Sequence, residues 1–153
     1  MRPLHIVAVA LGLPLGAAAV SASAHDHAAP VAVTVYKNAQ CGCCRKWVDH
    51  LRKEGFAVTA KDVDDLSAIK AKLGVPASLH SCHTAIVGAY VVEGHVPAAD
   101  IRKLLKEKPV VAGIGVPGMP MGSPGMEMPD MPADKYTVMA FSKDGKQRVF
   151  ASH

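Results

Sequence analysis

Three of the four cysteines stand within four residues, as Cys41-Gly42-Cys43-Cys44, and the fourth, Cys82, is followed directly by His83. Sulfur and imidazole at this density suit two chemistries. One is thiol–disulfide exchange, for which Cys41 and Cys44 have the bridgeable C-x-x-C spacing. The other is the binding of a soft or borderline metal. Adjacent Cys43 and Cys44 are poorly placed to bridge each other, and a Cys41–Cys43 bridge would close a tight loop. A purely structural reading as two disulfides must therefore pair Cys43 with Cys82. Arg45 and Lys46 follow the cluster, and no neighbouring acid opposes them. If the cluster opens a helix, free N–H groups and the helix dipole also favour thiolate over thiol. The expectation is a cluster of ionised sulfur ligands.

The choice of metal follows from ligand softness. Four thiolates, or three and a histidine, would satisfy a closed tetrahedral zinc site. Cys43 and Cys44 would then have to reach one ion from different sides of a helical turn. Sulfurs shared among several Cu(I) ions relax that constraint, which favours copper over zinc. Met119, Met121, Met126, Met128 and Met131 lie within thirteen residues, separated by Pro and Gly. A single methionine usually fills a gap in a core. This spacing resembles no core stripe, and thioethers suit Cu(I). Met139 lies in strand-like sequence and reads as core. Among the histidines, His83 is the best ligand candidate because it adjoins Cys82. His80 reads as a loop residue, His95 as shaping the turn Gly94-His95-Val96-Pro97, and His50 as a solvated helix position, while His153 is terminal.

These groups need elements to position them. Val31 to Tyr36 is β-branched and apolar, as in a buried strand. Cys44, Trp47, Val48 and Leu51 share one face of a helix that opens near Cys43 and ends at Gly55. That phase turns Cys44 to the core and leaves Cys41 in the preceding turn, more open to solvent. Phe56 to Val63 alternates as a second strand. Asp64 or Asp65 caps a second helix with Leu66, Ile69 and Leu73 inward, and Gly74 and Pro76 stop it. Thr84–Val87 and Tyr90–Glu93 read as a hairpin around Gly88-Ala89. Pro97 opens a third helix with Ile101, Leu104 and Leu105 as its stripe, and Pro109 closes it.

The order β-α-β-α-β-β-α, with two parallel β-α-β connections, predicts a three-layer α/β domain of thioredoxin-like arrangement over residues 31–110. The cysteines then occupy the first strand-to-helix junction, the usual place for chemistry in such sheets. In that layout the loop before the third strand faces the C-x-x-C turn, so Cys82 should meet the other sulfurs. His83 stands where a thioredoxin carries its cis-proline. Residues 111–153 form an extension. Val111 to Pro132 is rich in Gly, Pro and Met and predicts neither a regular helix nor a central strand. Tyr136–Phe141 and Gln147–Phe150, around Asp144-Gly145, predict a closing hairpin. The Met-rich segment is thus expected as a loop tied at both ends that contributes to the metal site.

The N-terminus reads as an address. A basic start, an apolar run from Ile6 to Val20 and Ala22-Ser23-Ala24 fit a signal peptide cut after Ala24. The run is too short and too interrupted for a comfortable membrane span, so export without stable membrane insertion is expected. Residues 25–30 are a polar leader. A new amine at His25, with His27 in third place, would make a square-planar set suited to Cu(II). The formal net charge is +4, and the basic residues are scattered without aromatic interleaving, which excludes a nucleic-acid-binding class.

Cys41-Gly42-Cys43-Cys44, Ser81-Cys82-His83-Thr84, Gly94-His95-Val96-Pro97 and the run Pro117-Gly118-Met119-Pro120 through Gly122-Ser123-Pro124-Gly125-Met126-Glu127 stand in one order. Together they resemble the CopG-type periplasmic copper-resistance proteins, a thioredoxin-like C-x-C-C family formerly of unknown function, over Val31 to Phe150. The resemblance implies a periplasmic protein with a cysteine-bridged site for several copper ions and a role in interconverting Cu(I) and Cu(II). It implies metal ligation by Cys41, Cys43, Cys44 and Cys82. His83, Met119 and Met126 are expected to complete the shell, and Cys41 and Cys44 to act as the redox pair. Periplasmic copper-efflux or redox proteins would be the partners. An enzyme of this kind would be a copper oxidoreductase. The alternatives are a passive copper chaperone or buffer, and a thiol–disulfide oxidoreductase using Cys41 and Cys44.

Overall fold

The computed structural model describes residues 29–153. The expected signal peptide, and with it His25 and His27, lies outside the described residues. Strand β1 (Ala32–Lys37) leads into helix α1 (Gly42–Lys53), then β2 (Ala57–Asp62) and α2 (Leu66–Lys72). A 3₁₀ turn at Ala77–Leu79 precedes the hairpin of β3 (His83–Val87) and β4 (Tyr90–Glu93). Helix α3 (Ala98–Glu107) follows, then β5 (Gly113–Gly115), β6 (Thr137–Phe141) and β7 (Gln147–Ser152). All seven strands form one sheet in the order β2-β1-β3-β4-β5-β6-β7.

Helix phase and strand alternation divide the apolar residues between two faces of that sheet. Trp47, Val48 and Leu51 of α1 and Ile101 and Leu104 of α3 pack with Val33, Val35, Ala85, Val87, Val92, Ile114 and Ala140. The residues next in line, Val91 and Phe141, face the other way and pack with Val75 and Leu79 beyond α2. The result is helix, sheet, helix, as the order of elements predicts.

Two expectations need correction. Of the two β-α-β connections expected to be parallel, only the first is: β1 pairs parallel with β2, but β3 pairs antiparallel with β1 on its other side. The chain leaving α2 therefore passes β1 before it re-enters the sheet. A central strand also exists inside the Gly/Pro/Met-rich stretch. Gly113–Gly115 lies between β4, parallel to it, and β6, antiparallel. Its glycines, poor strand formers by composition, are what the position requires. A Cβ on Gly113 would stand 2.1 Å from the Val91 carbonyl oxygen and 2.8 Å from the Phe141 ring. Through β5 the closing hairpin continues the same sheet.

Candidate metal centre

Cys41 is the N-cap of α1, with extended backbone, and its sulfur accepts from the Cys44 N–H at 3.3 Å. The sulfur thus satisfies one of the orphan donors at the helix start. Cys41 and Cys44 are bridged, with Cα atoms 5.3 Å apart, and Cys43 and Cys82 are free thiols. Cys44 is fully buried, as the helix phase predicts, and the other three are half-buried. The Cys43 Sγ lies 3.5 Å from that of Cys41 and 3.8 Å from that of Cys82. All four sulfurs lie within 4.8 Å of one another. Two ligands opposite each other on one ion, with bonds of about 2.3 Å, are roughly 4.6 Å apart. The set is therefore compact enough to share metal.

Burial, then the nearby Cys43 charge and its hydrogen bond, push the Cys82 thiol from 9.0 to about 11. Cys82 sits in a loop, where burial disfavours its charged form.

The loop carrying Cys82 is held from below. Glu93 is fully buried, and its carboxylate accepts from the Ser81 N–H at 2.7 Å, from Lys70 Nζ at 2.5 Å and from the Thr84 hydroxyl at 2.6 Å. Lys70, also buried, donates to Thr84 Oγ1 at 2.9 Å. The Ser81 hydroxyl donates to the Gly118 carbonyl, next to Met119. The positive φ of Gly94 and the Ser81 side chain, which would meet a Cβ there at 2.6 Å, leave room for glycine alone. The residues ahead of Cys82 and of Met119 are thus fixed to one buried ion pair, and the Met119 sulfur lies 2.8 Å from that of Cys82. Sequence reading missed this network. Its signal was Lys70 one turn after Leu66 in the apolar stripe, and an acid closing the otherwise apolar β4.

The Met-rich loop reaches the site from two directions. Met119 contacts Cys82, while Gly125, at φ +89°, lies on the first turn of α1. A Cβ on Gly125 would stand 2.8 Å from the Cys43 carbonyl oxygen and 2.9 Å from the Trp47 nitrogen. Close approach there brings Met126 and Met128 beside Cys43, around a cavity of about 250 Å³. Met131 is exposed and Met121 half-buried, and Met139 packs against Val91 and Phe141 as read from sequence.

The histidines divide differently from expectation. His83 is fully buried, 4.3 Å from the Trp47 ring and 4.9 Å from that of His95, and the compact sulfur set does not include it. Neither of its nitrogens has a hydrogen-bond partner among the described residues, and burial holds its pKa well below 6.5. No cis peptide occurs among the described residues, at His83 or elsewhere. His95 does more than shape a turn: it is buried, and its Nδ1 lies 2.9 Å from the Pro124 carbonyl oxygen, tying the Met-rich loop down. His50 is not a solvated position. Its Nε2 accepts from the Ala98 N–H at 3.2 Å and caps α3, and burial lowers its pKa. His153 pairs with Asp100 at 2.7 Å, and His80 is an exposed loop residue.

Fold and site define a class: a thioredoxin-like α/β domain whose C-x-x-C turn has gained two further sulfurs and a methionine loop. The comparisons agree. The family described as protein of unknown function, DUF411, matches residues 79–126. A solved structure named copper resistance protein CopG, form 2, is 48% identical, with a TM-score of 0.77 over 81% of this chain and 98% of that one. Its form 1 is 49% identical, with a TM-score of 0.76 and the same coverage. No curated protein matches. The chain belongs to the CopG family of copper resistance proteins.

Proposed function

We propose that this is a periplasmic copper-resistance protein that takes copper as its cargo, as several ions, on Cys41, Cys43, Cys44 and Cys82. His83, Met119 and Met126 complete the shell, and the protein interconverts Cu(II) and Cu(I). In this reading residues 1–24 are a cleaved signal and 25–30 a leader. Residues 31–110 are the thioredoxin-like domain, and 111–153 bring the methionines. The observation that carries it is the convergence of four cysteine sulfurs within 4.8 Å of one another, in a chain whose relatives are named for copper resistance. Thiolate and thioether donors select Cu(I). The unpartnered nitrogens of His83 support its ligand role.

The Cys41–Cys44 pair supplies the electrons. Two thiols give one electron each to two Cu(II) ions; an S–S bond forms, two protons leave to solvent and two Cu(I) are formed. A periplasmic dithiol protein restores the thiols by exchange, and an efflux protein is the natural recipient of the metal. No helix among the described residues is long and apolar enough to cross a membrane.

Metal analysis and absorption spectra of the mature protein, before and after reductant, test the reading. More than one copper per reduced chain, lost in Cys82→Ser, is expected. One zinc ion and no copper would overturn it. The Cys41–Cys44 bridge favours a second reading, thiol–disulfide exchange. That reading gains if Cys41→Ser abolishes disulfide reduction of insulin while Cys43→Ser leaves copper content unchanged.

A further inference from the structure

We infer that the protein has a second copper-binding state, present while Cys41 and Cys44 are bridged: one Cu(I) held between Cys43 and Cys82, with the Met119 thioether as third ligand. The inference rests on the reading that this site takes copper, and deepens it. A bridge that consumes Cys41 and Cys44 would be expected to empty a four-sulfur site. Here it leaves two thiols facing each other. Their sulfurs are 3.8 Å apart. Two thiolates on one ion with bonds of about 2.3 Å stand roughly 3.8 to 4.0 Å apart, from tetrahedral to trigonal angles. The pair is thus set for one ion in the bridged form itself.

The third donor is beside it. Met119 Sδ lies 2.8 Å from Cys82 Sγ, about an ångström closer than two ligands of one ion. Met119 is 52% exposed, and its unbranched side chain can swing by that much at little cost. Besides the Cys44 Sγ contact with the Cys82 carbonyl oxygen at 3.6 Å, Cys82 and Met119 have anchors that involve neither Cys41 nor Cys44. These come from the buried Lys70–Glu93–Thr84 network acting through Ser81 on both loops. Cys43 is held by the first turn of α1, under Gly125. Access comes from the cavity that Cys43 shares with Met126 and Met128. On binding, Cu(I) displaces one proton from each of the two thiols to solvent. Oxidation of the Cys41–Cys44 pair then reduces copper capacity in steps, and the last ion is retained on the other side of the pocket.

The test is a Cu(I) titration against bathocuproine disulfonate, run on two preparations of the mature chain. One is air-oxidised, with two free thiols per chain by Ellman assay before and after; the other is fully reduced. The oxidised chain should withdraw one Cu(I), and the reduced chain more than one. In the oxidised form, Cys43→Ser and Cys82→Ser should each weaken retention more than tenfold, and Met119→Leu several-fold. The double variant Cys41→Ala/Cys44→Ala, which has no bridge to form, should also keep one Cu(I). An oxidised chain that leaves all copper with the chelator, beside a reduced chain that takes it, overturns this inference alone. If neither form takes copper, the proposed function falls as well.

Discussion

The two halves of the sulfur pocket are held by different means. Cys41, Cys43 and Cys44 belong to a helix start, and their places follow from cap geometry, helix phase and a covalent bridge. Cys82 belongs to a loop, and its place follows from a buried lysine–glutamate pair beneath it. The first half can open and close by gaining or losing two electrons. The second has no such freedom, because unpairing either buried ion would strand a charge in a low-dielectric interior. In the function proposed above, one wall of the pocket changes state and the other keeps the geometry.

That contrast can be broken most severely from below. Glu93→Ala or Lys70→Ala leaves an uncompensated buried charge and should cost about 3–5 kcal/mol in urea unfolding. The double variant Lys70→Met/Glu93→Leu should regain most of that stability, yet hold copper less well, because the Ser81 N–H loses its acceptor. Recovery of copper retention along with stability would show that the pair does not position Cys82.

A smaller effect separates contact from conformation in the methionine loop. Gly125→Ala meets both a positive φ and the α1 backbone, and should cost about 1–3 kcal/mol by thermal unfolding. Gly118→Ala has φ +69° but no atom within 4 Å of the new Cβ, so it should cost only about 1–2 kcal/mol. Equal losses would mean that the loop does not press on the helix.

His50→Ala removes the cap of α3 and should cost about 0.5–2 kcal/mol. Burial lowers the His50 pKa below its ordinary 6.5, so the unfolded chain takes up the proton first on acidification. The contribution of His50 is therefore present above pH 6.5 and lost progressively as pH falls through the lowered folded value. Wild type and His50→Ala should converge in stability in acid.

The mildest test concerns the Cys82 proton. Its thiol is pushed up to about 11, so thiolate absorption of the metal-free, bridged protein should include a late step near that pH. Cys43→Ala removes one cause of the shift and should move the step down. The unfolded thiol ionises near 9.0, before the folded one. Stability contributed by Cys82 is accordingly full below that pH and declines between about 9 and 11.

Much of this molecule was legible in its residues. The 3.6-residue spacing of Cys44, Trp47, Val48 and Leu51 dictated α1 and the burial of Cys44, because periodicity within one helix is local. The C-x-x-C spacing marked the bridgeable pair, and Gly/Pro/Met composition marked the loop. The order of elements placed Cys82 opposite the 41–44 turn. Other features depend on what lies across space. β5 is a strand only because β4 and β6 flank it closely enough to demand glycine. The direction of β3, the clamp of Lys70 and Glu93 on Ser81, the capping of α3 by His50 and the elevated Cys82 proton affinity came from the tertiary structure alone. Each joins segments distant in sequence, and burial, which sets the cost of a charge, is a property of the assembled fold.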